Sequence, residues 1–267
     1  MSAVVEASAN EAAPAQSDSS GVIDVYGSLL RLDPEDSLFL GSHDYEPYAS
    51  KLVMGLLRPG DVAVDVGAMI GYYTVILAKH VGPDGRVFAF EPDPDNFALL
   101  GSNVAMNGYD NVTCRQAIVG AEAGRAKLWR APSNRGDHHA FPTDGRVAVD
   151  VDVIALDDIV DGRVDVIKID VQGYESFVLA GMRGLIGRSP ELAMLVEFCP
   201  ALLIEAGTQP ADLLDELRSL GLQMYEIDDD ARCVRGVDIP ELLDRVRPEY
   251  GDAAEGYTNL LCVKVQP

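Results

Sequence analysis

Residues 64–74 read Val64-Asp65-Val66-Gly67-Ala68-Met69-Ile70-Gly71-Tyr72-Tyr73-Thr74. Val62, Ala63, Val64 and Val66 form the apolar run of a parallel strand covered on both faces. That strand ends at Asp65 and Val66, the chain turns through Gly67, Ala68 and Met69, and a helix starts near Gly71. Glycine at 67 permits a sharp turn and leaves no Cβ in the way of a ligand. Gly71 lets the helix pack close to the strand or to that ligand. The first helical turn carries unpaired N–H groups, which suit a carboxylate or a hydroxyl-rich molecule.

The spacing selects among ligands. A dinucleotide site shows G-x-G-x-x-G with an acid about 20 residues further on. Here Gly67 and Gly71 stand four apart, Asp65 precedes the first glycine, and Glu91 closes the next strand, 87–91. This arrangement suits S-adenosylmethionine (SAM), which has no phosphate to cradle but offers an ammonium, a sulfonium and a ribose diol. Glu91 can accept both ribose hydroxyls, with Pro92 next to it, and Asp65 can support the methionine end directly or through water.

Composition narrows the class. The 267 residues carry 21 Lys and Arg against 43 Asp and Glu, a formal charge of −22. Such a surface repels phosphate backbones and anionic lipid, so nucleic acid and membranes are poor partners. Cys114, Cys199, Cys233 and Cys262 are scattered, without a C-x-x-C pair. They predict neither a zinc cage nor a disulfide framework and fit a reducing cytoplasm; Cys114, Cys199 and Cys262 read as small core hydrophobes. Residues 1–20 are rich in Ala, Ser and Glu and lack a signal-peptide pattern, which predicts a disordered leader. No apolar segment reaches the roughly 18 residues of a membrane span.

The remaining chain, 21–267, reads as one domain with an N-terminal cover at 21–60 and a sheet from 61 onward. The cover holds a strand pair (22–26 and 29–32), a turn at 33–36 and an amphipathic helix over 46–57. A helix opens at Pro92-Asp93-Pro94-Asp95 and ends at Asn107-Gly108. The strand at 111–116 leads to Gln116, Ala117 and Ile118, an edge that in doubly wound sheets faces the adenine. Residues 124–131 and 146–154 alternate as half-exposed antiparallel strands around a polar loop, 132–144, holding His138 and His139. Strands at 165–170 and 192–198, helices at 173–183 and 210–220, and a closing strand pair at 222–227 and 259–265 follow, with a short helix at 238–246. The order predicts an α/β fold: a doubly wound, mostly parallel sheet with an antiparallel terminal hairpin.

D-V-G-A-M-I-G-Y-Y-T, A-F-E-P-D-P-D-N-F, N-V-A-M-N-G, S-N-R-G-D-H-H, I-K-I-D-V-Q-G-Y-E and T-N-L-L-C occur in this order. Together they resemble the FkbM family of SAM-dependent methyltransferases, over about 25–265. The resemblance implies the seven-stranded class I SAM methyltransferase fold, and activity on hydroxyl groups of polyketides and glycolipid sugars. It matches Gly67 and Gly71 to the glycine turn and Glu91 to the ribose ligand. Asp170 matches the acid beside the methyl-transfer centre, and Asn96 with Asn103 or Asn107 matches recurrent asparagines. Capping is the plainer reading of those asparagines. Two departures stand out: Met69 replaces the usual Asn after G-A, and Gln172 replaces the usual Glu after D-V.

Methyl transfer to an alcohol needs in-line positioning and removal of a proton. Asp170, His138 and His139 are the candidate bases, with Lys168 and Glu197 as neighbours at strand ends. No metal site is assigned; a divalent ion on Asp170, Glu197 and a histidine is the alternative. The expected partner is a small hydroxylated molecule. N- or C-methylation, or a non-catalytic SAM-binding module, are the competing readings.

Overall fold

A computed structural model describes residues 21–34, 39–41, 45–246 and 256–264. The expected leader at 1–20 and the end of the 33–36 turn lie outside the described residues. The chain opens with an antiparallel ribbon, β1 (Val22–Val25) and β2 (Ser28–Arg31), then α1 (Pro47–Leu56). Strands and helices then alternate: β3 (Val62–Val66), α2 (Tyr72–Val81), β4 (Arg86–Phe90), α3 (Pro94–Met106) and β5 (Val112–Arg115). Next come β6 (Ile118–Val119), β7 (Gly124–Arg130), β8 (Val147–Ile154) and α4 (Leu156–Ile159). They lead to β9 (Val166–Ile169), α5 (Glu175–Ala180), α6 (Arg183–Arg188), β10 (Ala193–Phe198) and α7 (Pro200–Glu205). α8 (Pro210–Ser219), β11 (Leu222–Asp228), β12 (Cys233–Gly236), α9 (Ile239–Arg245) and β13 (Thr258–Lys264) complete it.

The central sheet runs β12-β11-β13-β10-β9-β3-β4-β5. The strands from β10 to β5 are mutually parallel, and β13 is antiparallel to both of its neighbours. The expected antiparallel closing pair is therefore present, but its last strand sits inside the sheet, between β10 and β11. Seven of these strands correspond to the expected sheet; β12 adds a short eighth at the rim. A smaller sheet, β6-β8-β7, stands apart from it.

Period-two alternation sends Val64, Val66, Ile167, Ile169, Met194 and Val196 into a core with α5, α6 and α8. The opposite face packs Ala63, Val166, Ala193 and Leu195 against α1, α2 and the ribbon. On that second face the apolar pattern breaks at Asp65 and Lys168, which sit opposite each other in register. Both are buried. An ion-bearing pair in the middle of such a row costs stability unless something uses it.

The single helix expected over 173–183 is two short ones. Gly181 approaches the Gly120 carbonyl so closely that a Cβ there would lie 2.0 Å from its oxygen, and Asp157 caps α6 by accepting from Gly184 and Leu185. Asn103 and Asn107 do more than cap. Their amides exchange hydrogen bonds with the backbone of Arg31 and Leu29, serving as the missing partner of the ribbon's edge. Of the cysteines read as core residues, only Cys262 is fully buried; Cys114 and Cys199 are half-buried.

Gly67 fixes the turn after β3. Its φ is +83°, and an added Cβ would meet the Asp170 carbonyl oxygen at 1.8 Å. Gly67→Ala is therefore expected to cost about 3 kcal/mol or more, read as a lowered urea midpoint.

Candidate functional site

A cavity of about 660 Å³ opens at the carboxyl ends of β3, β4, β9 and β10, where ligands of open α/β sheets bind. Glu91, Pro92, Ala117 and Ile118 line one end, Gly67, Ala68 and Met69 the turn, and Asp170, Gln172 and Glu197 the other end.

At the first end Glu91 is 5% exposed. Its Oε2 accepts from the Met69 N–H at 2.8 Å and its Oε1 from the Asp93 N–H at 2.9 Å. Burial pushes its carboxyl up to about 8, although both N–H groups favour the ion. Met69 has φ +49°. An asparagine would tolerate that left-handed backbone better than methionine does.

At the other end a polar cluster spans several elements. Lys168 is 2% exposed and lies 3.2 Å from Asp170 Oδ2 and 5.3 Å from the Tyr73 ring centre. Burial alone would lower its pKa, but Asp170, Glu46 and Glu197 hold it above the ordinary lysine value. The Gln172 amide donates to Asp170 at 2.7 Å and to Glu197 at 2.8 Å. Gln172 is itself left-handed, with φ +52°. Burial, followed by the charge of Asp170, raises Glu197 well above the usual carboxylate range. Asp65 accepts from the Thr74 hydroxyl at 2.6 Å, and burial lifts it to about 6. Glu46, from the N-terminal cover, accepts from Tyr73 at 2.6 Å and Asn259 at 2.7 Å.

The residues expected at the site divide accordingly. Asp65, Gly67, Ala68, Met69, Glu91, Pro92, Ala117, Ile118, Asp170 and His138 line the cavity. Gly71, Asn96, Gln116 and His139 do not. Gly71 packs against Leu100. Asn96 donates to the Arg135 carbonyl, bracing the 132–144 loop. Exposed Gln116 reaches only the Pro92 carbonyl. His139 is buried, its ring nitrogens held by Asp137 and Thr143 at 2.9 Å each and its face stacked on Phe141. Its nearest link to the cavity is Asp137, which lines it.

His138 takes the Ala131 N–H on Nδ1 and faces Asp93, 3.6 Å away, so it walls the Glu91 end, not the Asp170 end. Among the described residues no group of three or more His, Cys, Asp or Glu is placed to hold a metal ion. The sequence did not point to Tyr45, Glu46 or Tyr257, which reach this end from distant segments. Lys168 had a signal: a lysine inside an otherwise apolar buried strand.

Residues 65–224, more than half of the chain, match the family described as the methyltransferase FkbM domain. The chain belongs to the FkbM methyltransferase family. The 31-O-demethyl-FK506 methyltransferase FkbM of Streptomyces tacrolimicus is 30% identical over 159 residues, covering 47% of this chain and 61% of that protein. The hexuronic acid methyltransferase AglP of Haloferax volcanii is 28% identical over 167 residues, covering 61% of this chain and 64% of AglP. Each match takes in less than two thirds of the relative. Among solved structures, a putative rRNA methylase from Clostridium thermocellum shares the fold, with a TM-score of 0.51 at 13% identity over 81% of this chain and 95% of that one. In this FkbM-family chain the strand order, with the antiparallel β13 between β10 and β11, is that of the class I SAM-dependent methyltransferase fold.

Proposed function

We propose that the chain transfers the methyl group of SAM to a hydroxyl oxygen of a small natural product. The observation that carries this reading is one cavity with an acid at each end, buried Glu91 after β4 and half-buried Asp170 after β9, separated by the Gly67 turn. The residues suit SAM: a buried carboxylate for a ribose diol, an apolar edge at Ala117 and Ile118 for adenine, and an acidic end for positive charge. When bound, SAM supplies an electrophilic methyl group on sulfur. Glu91 accepts the ribose hydroxyls. Asp170, fixed by Lys168 and Gln172, takes the proton that the acceptor hydroxyl loses as its oxygen gains the methyl, with the electrons of the broken carbon–sulfur bond left on sulfur.

The relatives' names, a 31-O-demethyl-FK506 and a hexuronic acid methyltransferase, support a small-molecule acceptor. On this reading 21–267 is one catalytic domain with 21–60 as its cover, working in the cytoplasm. The net charge of −22 disfavours nucleic acid and anionic membranes. Among the described residues no helix is long and apolar enough to cross a membrane. Incubation with methyl-labelled SAM and a panel of hydroxylated natural products tests the proposal: label should appear on oxygen.

Two further results are expected. Glu91 serves the ribose as the ion, and its carboxyl is raised to about 8, so below that value a proton must leave on binding. SAM affinity should fall as pH drops through about 8 toward 6, approaching tenfold per pH unit, in calorimetric titrations; Glu91→Gln should flatten the profile. His139→Ala should lower stability by about 2 kcal/mol in thermal melts, since it removes a buried ring that stacks on Phe141 and ties down Asp137 and Thr143, and leave SAM affinity unchanged.

A further inference from the structure

The Asp170 end holds more carboxylates than cations. Asp65, Asp170, Glu197 and Glu46 converge there around the Lys168 ammonium, and Lys168 pairs directly with Asp170. The others are held by neutral donors: Thr74 on Asp65, Tyr73 and Asn259 on Glu46, Gln172 on Glu197. Gln172 also donates to Asp170, so two carboxylates share one uncharged amide. Glu175 adds its own field behind Glu197. Arg135 of the 132–144 loop pairs with Asp33, and His138 lies beside Asp93 with its pKa lowered by burial.

Buried like charges are costly without a counter-charge. The cost is met either by keeping protons on the carboxyls or by admitting a cation. Burial and the charge of Asp170 raise the Glu197 carboxyl, the mark of a crowded negative cluster. The row is also built in: alternation along β3, β9 and β10 puts Asp65, Lys168 and Glu197 on one sheet face, and Asn259 lies opposite Glu197 in register.

We propose that this carboxylate excess makes the site select the sulfonium of SAM over the neutral thioether of S-adenosylhomocysteine, with Glu197 the residue that carries the selection. The inference rests on the SAM reading above and adds a property that reading does not require. Ribose and adenine contacts are the same for cofactor and product; the difference is the methyl group and the positive charge it places on sulfur, next to the acceptor end. Reaction removes that charge, so the chain lets go of its product more readily than it binds its cofactor. Glu197 is the selecting carboxylate because it lines the cavity and has no cationic partner among its hydrogen bonds, whereas Asp170 has Lys168.

Calorimetry on the whole chain tests this with three ligands: SAM, S-adenosylhomocysteine, and sinefungin, which carries an ammonium near the sulfonium position. SAM and sinefungin should each bind at least tenfold tighter than S-adenosylhomocysteine. Glu197→Gln should weaken SAM and sinefungin about tenfold and leave S-adenosylhomocysteine nearly unchanged, collapsing the ratio. If Glu197→Gln does not fold, by circular dichroism and thermal melt, the wild-type ratio and Glu46→Gln carry the test, with a smaller collapse expected. Equal or tighter binding of S-adenosylhomocysteine by the wild type would overturn the inference and leave the methyltransferase reading standing. A Glu197→Gln protein that loses affinity for all three alike would overturn Glu197's part. Failure of all three to bind would overturn both.

Discussion

Glu91→Ala is expected to weaken SAM binding at least tenfold in calorimetry, with the fold intact. The buried Glu91 carboxylate lines the cavity and is anchored by the Met69 and Asp93 N–H groups. A ribose diol held there would gain one or two charge-assisted hydrogen bonds, each about 1.5–3 kcal/mol. Loss of even one exceeds the 1.4 kcal/mol or so that a tenfold change represents. Truncation also frees the Met69 N–H and loosens the left-handed turn at Met69, which adds to the loss. Glu91→Gln keeps the shape and should fall between. Unchanged affinity in both variants would remove Glu91 from the site.

Asp170→Asn should lower the methyl-transfer rate by about 10²-fold or more and change SAM affinity far less, because a general base acts on the acceptor proton and not on the cofactor. The substitution keeps the shape and the contact with Gln172 but removes the counter-charge of Lys168. A thermal melt therefore accompanies the rate measurement: a stable variant that is slow places the effect on chemistry. A variant that turns over at the wild-type rate would show that positioning alone drives the reaction.

Much of this was legible in the chain. The turn at Gly67, the parallel strands, and the acids Glu91 and Asp170 at strand ends all rest on local pattern: apolar runs, glycine spacing, an acid where the run stops. The insertion of β13 between β10 and β11 was not legible, because two apolar strands carry no record of which neighbour each will take. The histidines show the same boundary. Gly136-Asp137-His138-His139 reads as a loop bearing two candidate bases, yet adjacent side chains on an extended backbone point opposite ways. One therefore faces the cavity, and the other stacks on Phe141. Glu46 escaped notice for a third reason: it reaches Tyr73 and Asn259 only because α1 docks on the sheet. Lys168 was read only as a strand-end neighbour of the candidate bases, whereas a lysine interrupting an apolar buried strand implies a partner cluster.

A crystal structure of the chain with S-adenosylhomocysteine tests the central claim most directly. The account predicts the ribose hydroxyls on Glu91, the adenine against Ala117 and Ile118, and the sulfur directed toward Asp170 and Glu197. A ligand bound away from Glu91, or with its sulfur directed away from Asp170, would contradict it.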